Sequence, residues 1–470
     1  MSKECLQKSS KLSYRFSNSY SAFLHLASEL SRFPPYESCD QFIRQFIHHL
    51  MIGHKLAECL VDAQTARLVV QEMRDKRITR TVDDSQLVVK NVADDDNHSK
   101  KSKSYLRHLT QLRQHLEKHP VFNSKNFRLT PIDSLITTSD ESVDCIVFGF
   151  LVKNASKINE LVVEDNTGRV PLVFTDDTQF RDALVVENSF VIIEGTYDSP
   201  KDCLYVESIG QSPPIDLSSA VEVSDGLQRI GRMLVVISDI HLDDENTLDK
   251  LKTLLTGYDS MVPIPDAFLF VGDFMSKPCD EVSDFKAHMK NFVKIISKFT
   301  KISNFSQLIF IPGFNDIKGN DIPKSAFTVD MFPMTTKLIN NYHLATNPVN
   351  IYIDGRHICL SAIPYMSKLR KHIIHNSTED STELGASIAK LITCNGHLSA
   401  GLSHNLHNSL SLFHLPDFVL ISDKHMNEDM DSNAHNYTDL VVLPSFSRDN
   451  FRFKVFYTNP KHIECSQILV

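Results

Sequence analysis

The sequence lacks the features that mark a membrane protein, a secreted protein or a structural zinc protein. Its nine cysteines are scattered at positions 5, 39, 59, 145, 203, 279, 359, 394 and 465, and no two form a C-x-x-C pair. This usage argues against a structural zinc site and is typical of reduced thiols in a cytosolic or nuclear protein. No apolar run approaches the ~20 residues that cross a bilayer. The opening residues, MSKECLQKSSKLSYRF, are too polar for a signal peptide. We therefore expect a soluble intracellular protein.

An excess of positive charge is also absent. The formal net charge is -9, from 49 lysines and arginines against 58 aspartates and glutamates. This balance argues against a protein that binds nucleic acid over most of its surface. A local basic face is still compatible with a negative net charge. A chain of 470 residues exceeds what one hydrophobic core usually fills, so we expect two to three domains.

The N-terminal part of the chain has helical periodicity. Residues 1–80 are predicted to form a helical module, with apolar residues at four-residue steps at Phe42, Phe46 and Leu50. Residues 81–127 are predicted to be a linker that changes from acidic to basic, followed by a helix ending at Pro120. The apolar face of that helix consists of Tyr105, Leu109, Leu112 and Leu116. The lysines at 100, 101 and 103 fit either a nuclear-import signal or a solvated turn.

From residue 128 to 213 the pattern changes to short β-rich runs. Five such runs suit a small closed barrel of the OB type, and Asp165–Gly168 predicts a hairpin between two of them. OB barrels often bind single strands through exposed aromatic residues. The aromatic candidates here are Phe150, Phe174, Phe190 and Tyr205. We expect these side chains to lie in the core, which favours packing of the barrel against its neighbours over nucleic-acid binding.

Residues 228–470 alternate strands and helices and predict a layered α/β domain. Polar side chains follow four of its apolar runs, in the segments SDIH, GDF, PGFND and SDKH, and a further histidine lies in NGHLSA. Because ligands collect at the carboxyl ends of strands in such sheets, these side chains are candidates for a two-metal site. The candidate ligands are Asp239, His241, Asp273, His397, Asp423 and His425.

This order of motifs resembles that of the calcineurin-like metallophosphoesterases. Over residues 105–470 the chain also resembles the B subunits of replicative DNA polymerases, through phrases such as LDKLKTLLTGYDS, FIPGFND, LPDFVLISDK and LPSFSRDNFRFKVFY. The epsilon branch fits these phrases best, and the delta and alpha branches share the architecture. The resemblance implies a multidomain α/β and β chain with an N-terminal helical module, an OB-fold barrel and a calcineurin-like layered α/β sandwich.

The resemblance also implies that the phosphoesterase domain is inactive. Asp239 and His241 match the first motif, and Asp273 matches the bridging carboxylate. In PGFND, Phe314 stands at a ligand position and Asn315 replaces the histidine that protonates the leaving group. Shifting the alignment by one residue puts Asp316 at that position instead, so the general acid is lost in either case. The remaining ligands could still hold one divalent ion in a structural role.

By the same resemblance, the chain is expected to be a non-catalytic accessory subunit in the nucleus. Its partners would be the C-terminal zinc-binding region of the catalytic subunit of DNA polymerase epsilon, other subunits of that polymerase and of the replicative helicase, and DNA as part of the complex. The alternatives are a metal-dependent phosphodiesterase or nuclease, a stand-alone single-strand binder, and the equivalent accessory chain of DNA polymerase delta or alpha.

Overall fold

The computed structural model describes residues 15–16, 60–61, 87–92, 101–119, 122, 128–138, 141–154, 157, 160–214, 232–278, 281–316, 322–333, 335–403, 410–412, 414–432, 438–458 and 462–468. The chain divides into two compact units, Met1–Gln86 and Leu87–Val470. In the first unit the structure describes a short parallel strand pair, Arg15–Phe16 with Leu60–Val61. The rest of the predicted helical module lies outside the described residues. No helix in the described part of the chain is both long and apolar enough to span a membrane.

Helices and strands alternate through most of the second unit. The helices are α1 (Lys101–Lys118), α2 (Ile132–Ile136), α3 (Glu245–Ser260), α4 (Val282–Ile296), α5 (Thr300–Phe305), α6 (Thr335–Leu338), α7 (Tyr365–Leu369) and α8 (Ser381–Asn395). Short 3₁₀ turns are formed by Val329–Met331 and Glu428–Met430. The first nine strands are β1 (Val88–Asn91), β2 (Ser142–Lys153), β3 (Leu161–Glu164), β4 (Arg169–Phe180), β5 (Leu184–Val186), β6 (Ser189–Asp198), β7 (Cys203–Gln211), β8 (Met233–Ser238) and β9 (Ala267–Val271). The others are β10 (Gln307–Ile311), β11 (Tyr342–Leu344), β12 (Val349–Ile353), β13 (Arg356–Ala362), β14 (Ile373–Asn376), β15 (Phe418–Ser422), β16 (Asp439–Leu443), β17 (Arg452–Tyr457) and β18 (His462–Gln467).

Five strands close into a barrel in the order β2-β3-β4-β7-β6. Alternating apolar residues of these strands fill its interior, including Val147, Val163 and Ile193. Phe150 and Phe190 are buried as predicted, but Phe174 and Tyr205 are only half-buried. Phe174 stacks on Phe180, and the ammonium of Lys201 lies over the Tyr205 ring. These two rings therefore lie at the barrel surface. The sequence did not predict this, because alternation of apolar residues does not separate a core position from a position at the rim of the barrel.

The remaining strands build two sheets packed face to face. The first has the order β11-β10-β9-β8-β17-β18, and the second has the order β16-β15-β13-β12-β1. Apolar side chains from both sheets form one core between them, including Val236, Leu269 and Leu420. Helices α3 and α4 cover the outer face of the first sheet, and α7 and α8 cover that of the second. The result is a four-layered α/β/β/α arrangement.

The predicted linker contains a strand. Residues Val88–Asn91 form β1 and pair antiparallel with β12, between Val349 and Tyr352. The short apolar run Leu87–Val89 has the β-branched character of a strand, but the acidic stretches on both sides concealed it. The helix predicted after the linker is α1, and its residues Leu109, Leu112 and Leu116 are buried.

The predicted hairpin at Asp165–Gly168 depends on one carboxylate. Asp165 accepts hydrogen bonds from the backbone N–H groups of Thr167 (2.7 Å) and Gly168 (3.0 Å) and from that of Ile132 at the start of α2 (3.2 Å). The side chain is nearly buried, so its loss leaves donors without an acceptor. We expect Asp165→Ala to lower the free energy of unfolding by about 2 kcal/mol in urea denaturation. Asp176→Ala, at an exposed position of β4, should leave the midpoint unchanged, and equal effects of the two variants would contradict this role.

Candidate functional site

The carboxyl ends of three parallel strands meet at one edge of the first sheet. Ser238 at the end of β8 is aligned with Val271 of β9, which is aligned with Ile311 of β10. Gly272 and Gly313, which follow β9 and β10, lie so close that a Cβ on Gly272 would be 2.3 Å from the Gly313 nitrogen. Glycine is therefore required where these two segments approach each other, and the polar side chains that follow are drawn into one cluster.

The first predicted pair, Asp239 and His241, is held by internal hydrogen bonds. Both residues have positive φ angles, 55° and 43°, which are uncommon outside glycine. The Asp239 Oδ1 atom lies 2.6 Å from His241 Nε2, and its Oδ2 atom accepts a hydrogen bond from the Ser445 hydroxyl. Burial opposes ionisation of Asp239, but the hydrogen bonds from His241 and Ser445 and the charge of Arg448 hold its pKa below the usual value. The Arg448 Nε atom is 3.8 Å from this carboxylate.

Both oxygens of the second predicted carboxylate, Asp273, accept hydrogen bonds from Asn315. The Asn315 backbone N–H donates to Asp273 Oδ1 at 2.9 Å, and its side-chain Nδ2 donates to Oδ2 at 2.5 Å. An amide that holds both oxygens of this carboxylate offers no proton to a leaving group, because an amide N–H does not titrate near neutral pH. Asn315 therefore acts as a clamp on Asp273.

Asp316, the next residue, is hydrogen-bonded to the backbone at the ends of two strands. It accepts hydrogen bonds from the backbone N–H groups of Phe274 (2.6 Å) and Gly313 (2.8 Å). Burial, followed by the nearby charge of Asp273, raises the pKa of Asp316 to about 8. Its carboxyl group thus joins the ends of β9 and β10 through backbone hydrogen bonds.

Phe314, the other departure from the family motif, is flanked by two lysines. The ammonium groups of Lys324 and Lys368 lie 5.7 and 5.1 Å from the centre of its ring. These distances are typical of cation–π contacts, and Lys324 is almost fully buried. Two positive charges and an aromatic ring therefore border a site where the phosphoesterase motif would place metal cations.

The last predicted pair, Asp423 and His425, is used for local backbone hydrogen bonding. Asp423 accepts from the backbone N–H groups of Met366 (2.7 Å) and His425 (3.0 Å), and burial raises its pKa. The Asp423 carboxylate thereby fixes the start of α7 against the end of β15. The side chain of His425 is exposed.

The lone histidine of the motif series, His397, contacts a helix from the barrel side of the molecule. Its ring is fully buried and lies edge-on to the ring of His108 in α1, with centroids 5.2 Å apart. Its Nδ1 atom accepts a hydrogen bond from the backbone N–H of Ser399. His397 is therefore part of the contact between α1 and the α/β layers.

The candidate ligands do not fit a two-metal centre. In the described part of the chain, no three histidine, cysteine, aspartate or glutamate side chains are grouped so that they could hold a metal ion. The oxygens of Asp239, Asp273 and Asp423 accept hydrogen bonds from protein donors rather than converging on a common point. The structure thus brings the predicted residues to the strand ends, His397 excepted, but does not arrange them as ligands.

Sequence reasoning missed two contributors to this cluster. Ser445 and Arg448 follow β16 and contact Asp239, although they lie more than 200 positions away in the sequence. An isolated β-bridge between Ser238 and Ser445 brings the two segments together. Their segment, LPSFSRDN, resembles the polymerase family but contains no ligand motif. The lysines beside Phe314 carried no recognisable signal, because they lie on two other segments.

Two family models match the chain. The model described as the B subunit of DNA polymerases alpha and epsilon matches residues 234–428, and the model described as DNA polymerase epsilon subunit 2-like, OB-fold domain, matches residues 98–213. The second match agrees with the closed barrel. Together the two models cover the barrel and most of the α/β layers.

Individual relatives carry corresponding names. DNA polymerase epsilon subunit 2 of Mus musculus is 25% identical over 413 residues, covering 78% of this chain and 76% of the relative. The human protein of that name is 26% identical, covering 74% and 70%, and a probable epsilon subunit 2 of Caenorhabditis elegans is 27% identical, covering 74% and 69%. A solved structure described as a novel archaeal phosphodiesterase is 10% identical, covers 50% of this chain and 99% of its own, and has a TM-score of 0.28, which supports no inference.

Proposed function

Because the chain belongs to the B-subunit family of DNA polymerases alpha and epsilon, we propose that it is a non-catalytic accessory subunit of DNA polymerase epsilon. In this role it binds the C-terminal, zinc-binding region of the catalytic subunit and supports DNA replication in the nucleus. Its further partners are the other polymerase subunits, the replicative helicase assembly and the DNA that the complex holds. The α/β layers of residues 228–470 are then a phosphoesterase fold of the calcineurin type used as a scaffold.

The observation that carries the non-catalytic role is the clamp on Asp273. Asn315 stands where a general acid would be needed and binds both carboxylate oxygens. Losing a positioned general acid costs typically about 100- to 10,000-fold in rate. With Asp316 bonded to the backbone of Phe274 and Gly313, no neighbouring residue of this segment supplies the missing proton.

A scaffold must hold its parts in one arrangement, and the barrel is bonded to the α/β layers at several points. The side-chain oxygen of Asn395, at the end of α8, accepts a hydrogen bond from the Phe190 backbone N–H at 2.6 Å. The backbone carbonyl oxygen of Asn395 lies 2.6 Å from His108 Nε2. The carboxylate of Asp182 pairs with the Lys390 ammonium of α8. Strand β5 also pairs antiparallel with β14. These contacts support a partner surface that can extend over both parts, as is common in permanent complexes with large interfaces.

Co-expression with the catalytic subunit tests the proposal. We expect the full chain to co-purify with the C-terminal region of the epsilon catalytic subunit, and not with the corresponding regions of the alpha and delta catalytic subunits. The isolated chain should hydrolyse a phosphodiester such as bis-p-nitrophenyl phosphate in manganese no faster than its Asp273→Ala variant. Recovery with the delta or alpha subunit instead, or hydrolysis that chelator and Asp273→Ala both abolish, would overturn the proposed function.

The sequence leaves open a single divalent ion in a structural role, and elemental analysis tests it. The strand-end carboxylates are already hydrogen-bonded, so we expect elemental analysis of the purified chain to find no stoichiometric divalent metal. We also expect its melting temperature to be the same with and without chelator. A chelator-sensitive melting temperature that Asp273→Asn abolishes would identify a bound ion.

A further inference from the structure

A row of lysines runs along the solvent side of α4 and the segment that follows it. The lysine row consists of Lys286, Lys290 and Lys294 in α4, Lys298 just after it, and Lys301 in α5. The last four are exposed, and Lys286 is half-buried. Four-residue steps place successive side chains on one helix face, about 6 Å apart along the axis.

Packing on the other face of α4 fixes the direction of this row. Phe285, Met289, Phe292 and Ile296 are buried under the helix and belong to the core on the outer side of the first sheet. Rotating the helix would expose these apolar side chains, so the lysines must point to solvent. The row is therefore a fixed feature of the surface.

Neighbouring carboxylates balance only part of the positive charge of the row. The sequence has no aspartate or glutamate from residue 285 to residue 315. None of the five lysines forms an ion pair with any residue that the structure describes. The elements packed beside α4 contribute Asp330 and Lys337, one charge of each sign. Beside α5, Asp259 of α3 accepts hydrogen bonds from the backbone N–H groups of Lys301 (3.0 Å) and Ile302 (3.1 Å). By contrast, the exposed lysines Lys157, Lys201 and Lys252 each pair with a carboxylate three residues away.

Like charges four residues apart weaken a helix slightly, so the row carries a small cost in the free chain. A polyanion would remove that cost by neutralising several lysines at once and releasing its counterions. We propose that the lysine row binds the phosphate backbone of nucleic acid. This inference rests on the proposed function, in which DNA is a partner, and deepens it by assigning the surface that contacts the phosphates.

Three features favour a phosphate backbone over an acidic protein segment. All five residues are lysines, which act as mobile point charges, whereas arginine is the usual partner for bidentate contact with carboxylates. Within α4, Lys286, Lys290 and Lys294 are repeated at four-residue steps, which suits a polymer with a regular charge. Four of the five lysines are exposed, so a polymer can contact several of them at once. Contacts of this kind position a duplex without reading its sequence.

Binding of the full chain to a fluorescently labelled duplex of mixed sequence, measured by anisotropy over a range of salt concentrations, tests the proposal. The slope of log K against log salt is negative, and its magnitude falls by about 0.9 for each phosphate contact that is lost. Lys290→Gln with Lys294→Gln should therefore reduce this magnitude by about 1.8 and weaken binding on the order of tenfold or more near 0.1 M salt. The matched control, Lys157→Gln with Lys201→Gln, removes the same charge from paired lysines of the barrel and should keep the slope. Lys290→Arg with Lys294→Arg retains both charges and should also keep it.

Two kinds of result would contradict binding of nucleic acid by the lysine row. No duplex binding by the unmodified chain at low salt, or equal weakening in the lysine-row variant and the barrel control, would overturn the proposal. Row-dependent binding of polyglutamate without binding of the duplex would assign the row to an acidic protein partner instead. Thermal melting of each variant should match the unmodified chain, since the substituted lysines are exposed.

Discussion

Replacing Asn347 with leucine lowers the free energy of unfolding by about 4 kcal/mol or more, because several buried polar groups lose their partners at once. Asn347 has no exposed surface and lies between β11 and β12. Its Nδ2 atom donates to the carbonyl oxygens of Pro312 (3.0 Å) and Ala362 (2.8 Å). Its Oδ1 atom accepts from the Ser361 hydroxyl and the Ala362 backbone N–H, both at 3.1 Å. All four hydrogen-bonding positions of the amide are used.

The Asn347 network ties the two sheets together beside the candidate site. Pro312 follows β10 of the first sheet, and Ala362 ends β13 of the second. Asn347→Asp has nearly the same shape but would turn a carboxylate oxygen toward two carbonyl oxygens, so we expect a loss at least as large at neutral pH. Asn340→Ala, at an exposed position, is the control and should leave the urea midpoint unchanged. An Asn347→Asp protein as stable as the unmodified chain would show that shape, and not hydrogen bonding, is what matters there.

Local sequence signals predicted the elements of the second unit well. The apolar runs MLVVI, AFLFV, QLIFI and DFVLI became central strands, because buried parallel strands are apolar on both faces. Leu251, Leu254 and Leu255 lie buried on α3, as their helical spacing predicts. The turn at Asp354–Gly355 joins β12 to β13, as its dipeptide indicates. These features depend on residues that are close together in the chain.

The candidate site was predictable in position but not in arrangement. Strand ends identified Asp239 and Asp273 at one edge of the first sheet and Asp423 at the end of a strand of the second sheet. What each carboxylate does depends on donors from distant segments, such as Ser445 for Asp239 and Met366 for Asp423. Pairing of β1 with β12 joins residues more than 250 positions apart, which no local pattern reports. The absence of a histidine from PGFND is visible in the sequence, whereas the hydrogen bonds that Asn315 and Asp316 form are not.

Acid should weaken the contact between α1 and the α/β layers. The imidazole of His108 is buried, with Nε2 2.6 Å from the Asn395 carbonyl oxygen and its ring stacked on Phe190. Burial lowers the pKa of His108 to about 4, against a weaker opposing effect of the hydrogen bond to Asn395. The unfolded chain binds a proton at this residue below pH ~6.5, whereas the folded chain does so only near pH ~4, so stability falls as the pH decreases between these values. Because a difference of one in pKa corresponds to about 1.4 kcal/mol, His108 alone should account for roughly 3 kcal/mol of this loss.

His108→Gln isolates that contribution. Glutamine can still donate a hydrogen bond toward the Asn395 carbonyl oxygen but has no titrating group, so urea midpoints of this variant should decline less steeply from pH ~6.5 to ~4. His357, whose pKa burial lowers to about 3, remains in the variant and should leave part of the acid sensitivity in place. His462→Gln removes an exposed histidine of β18 and should retain the full pH dependence. Urea midpoints that decline equally steeply with falling pH in His108→Gln and His462→Gln would contradict this prediction. That result would mean that His108 takes up no more protons on unfolding than a surface histidine, and that the contact between α1 and α8 is not the acid-sensitive part of the fold.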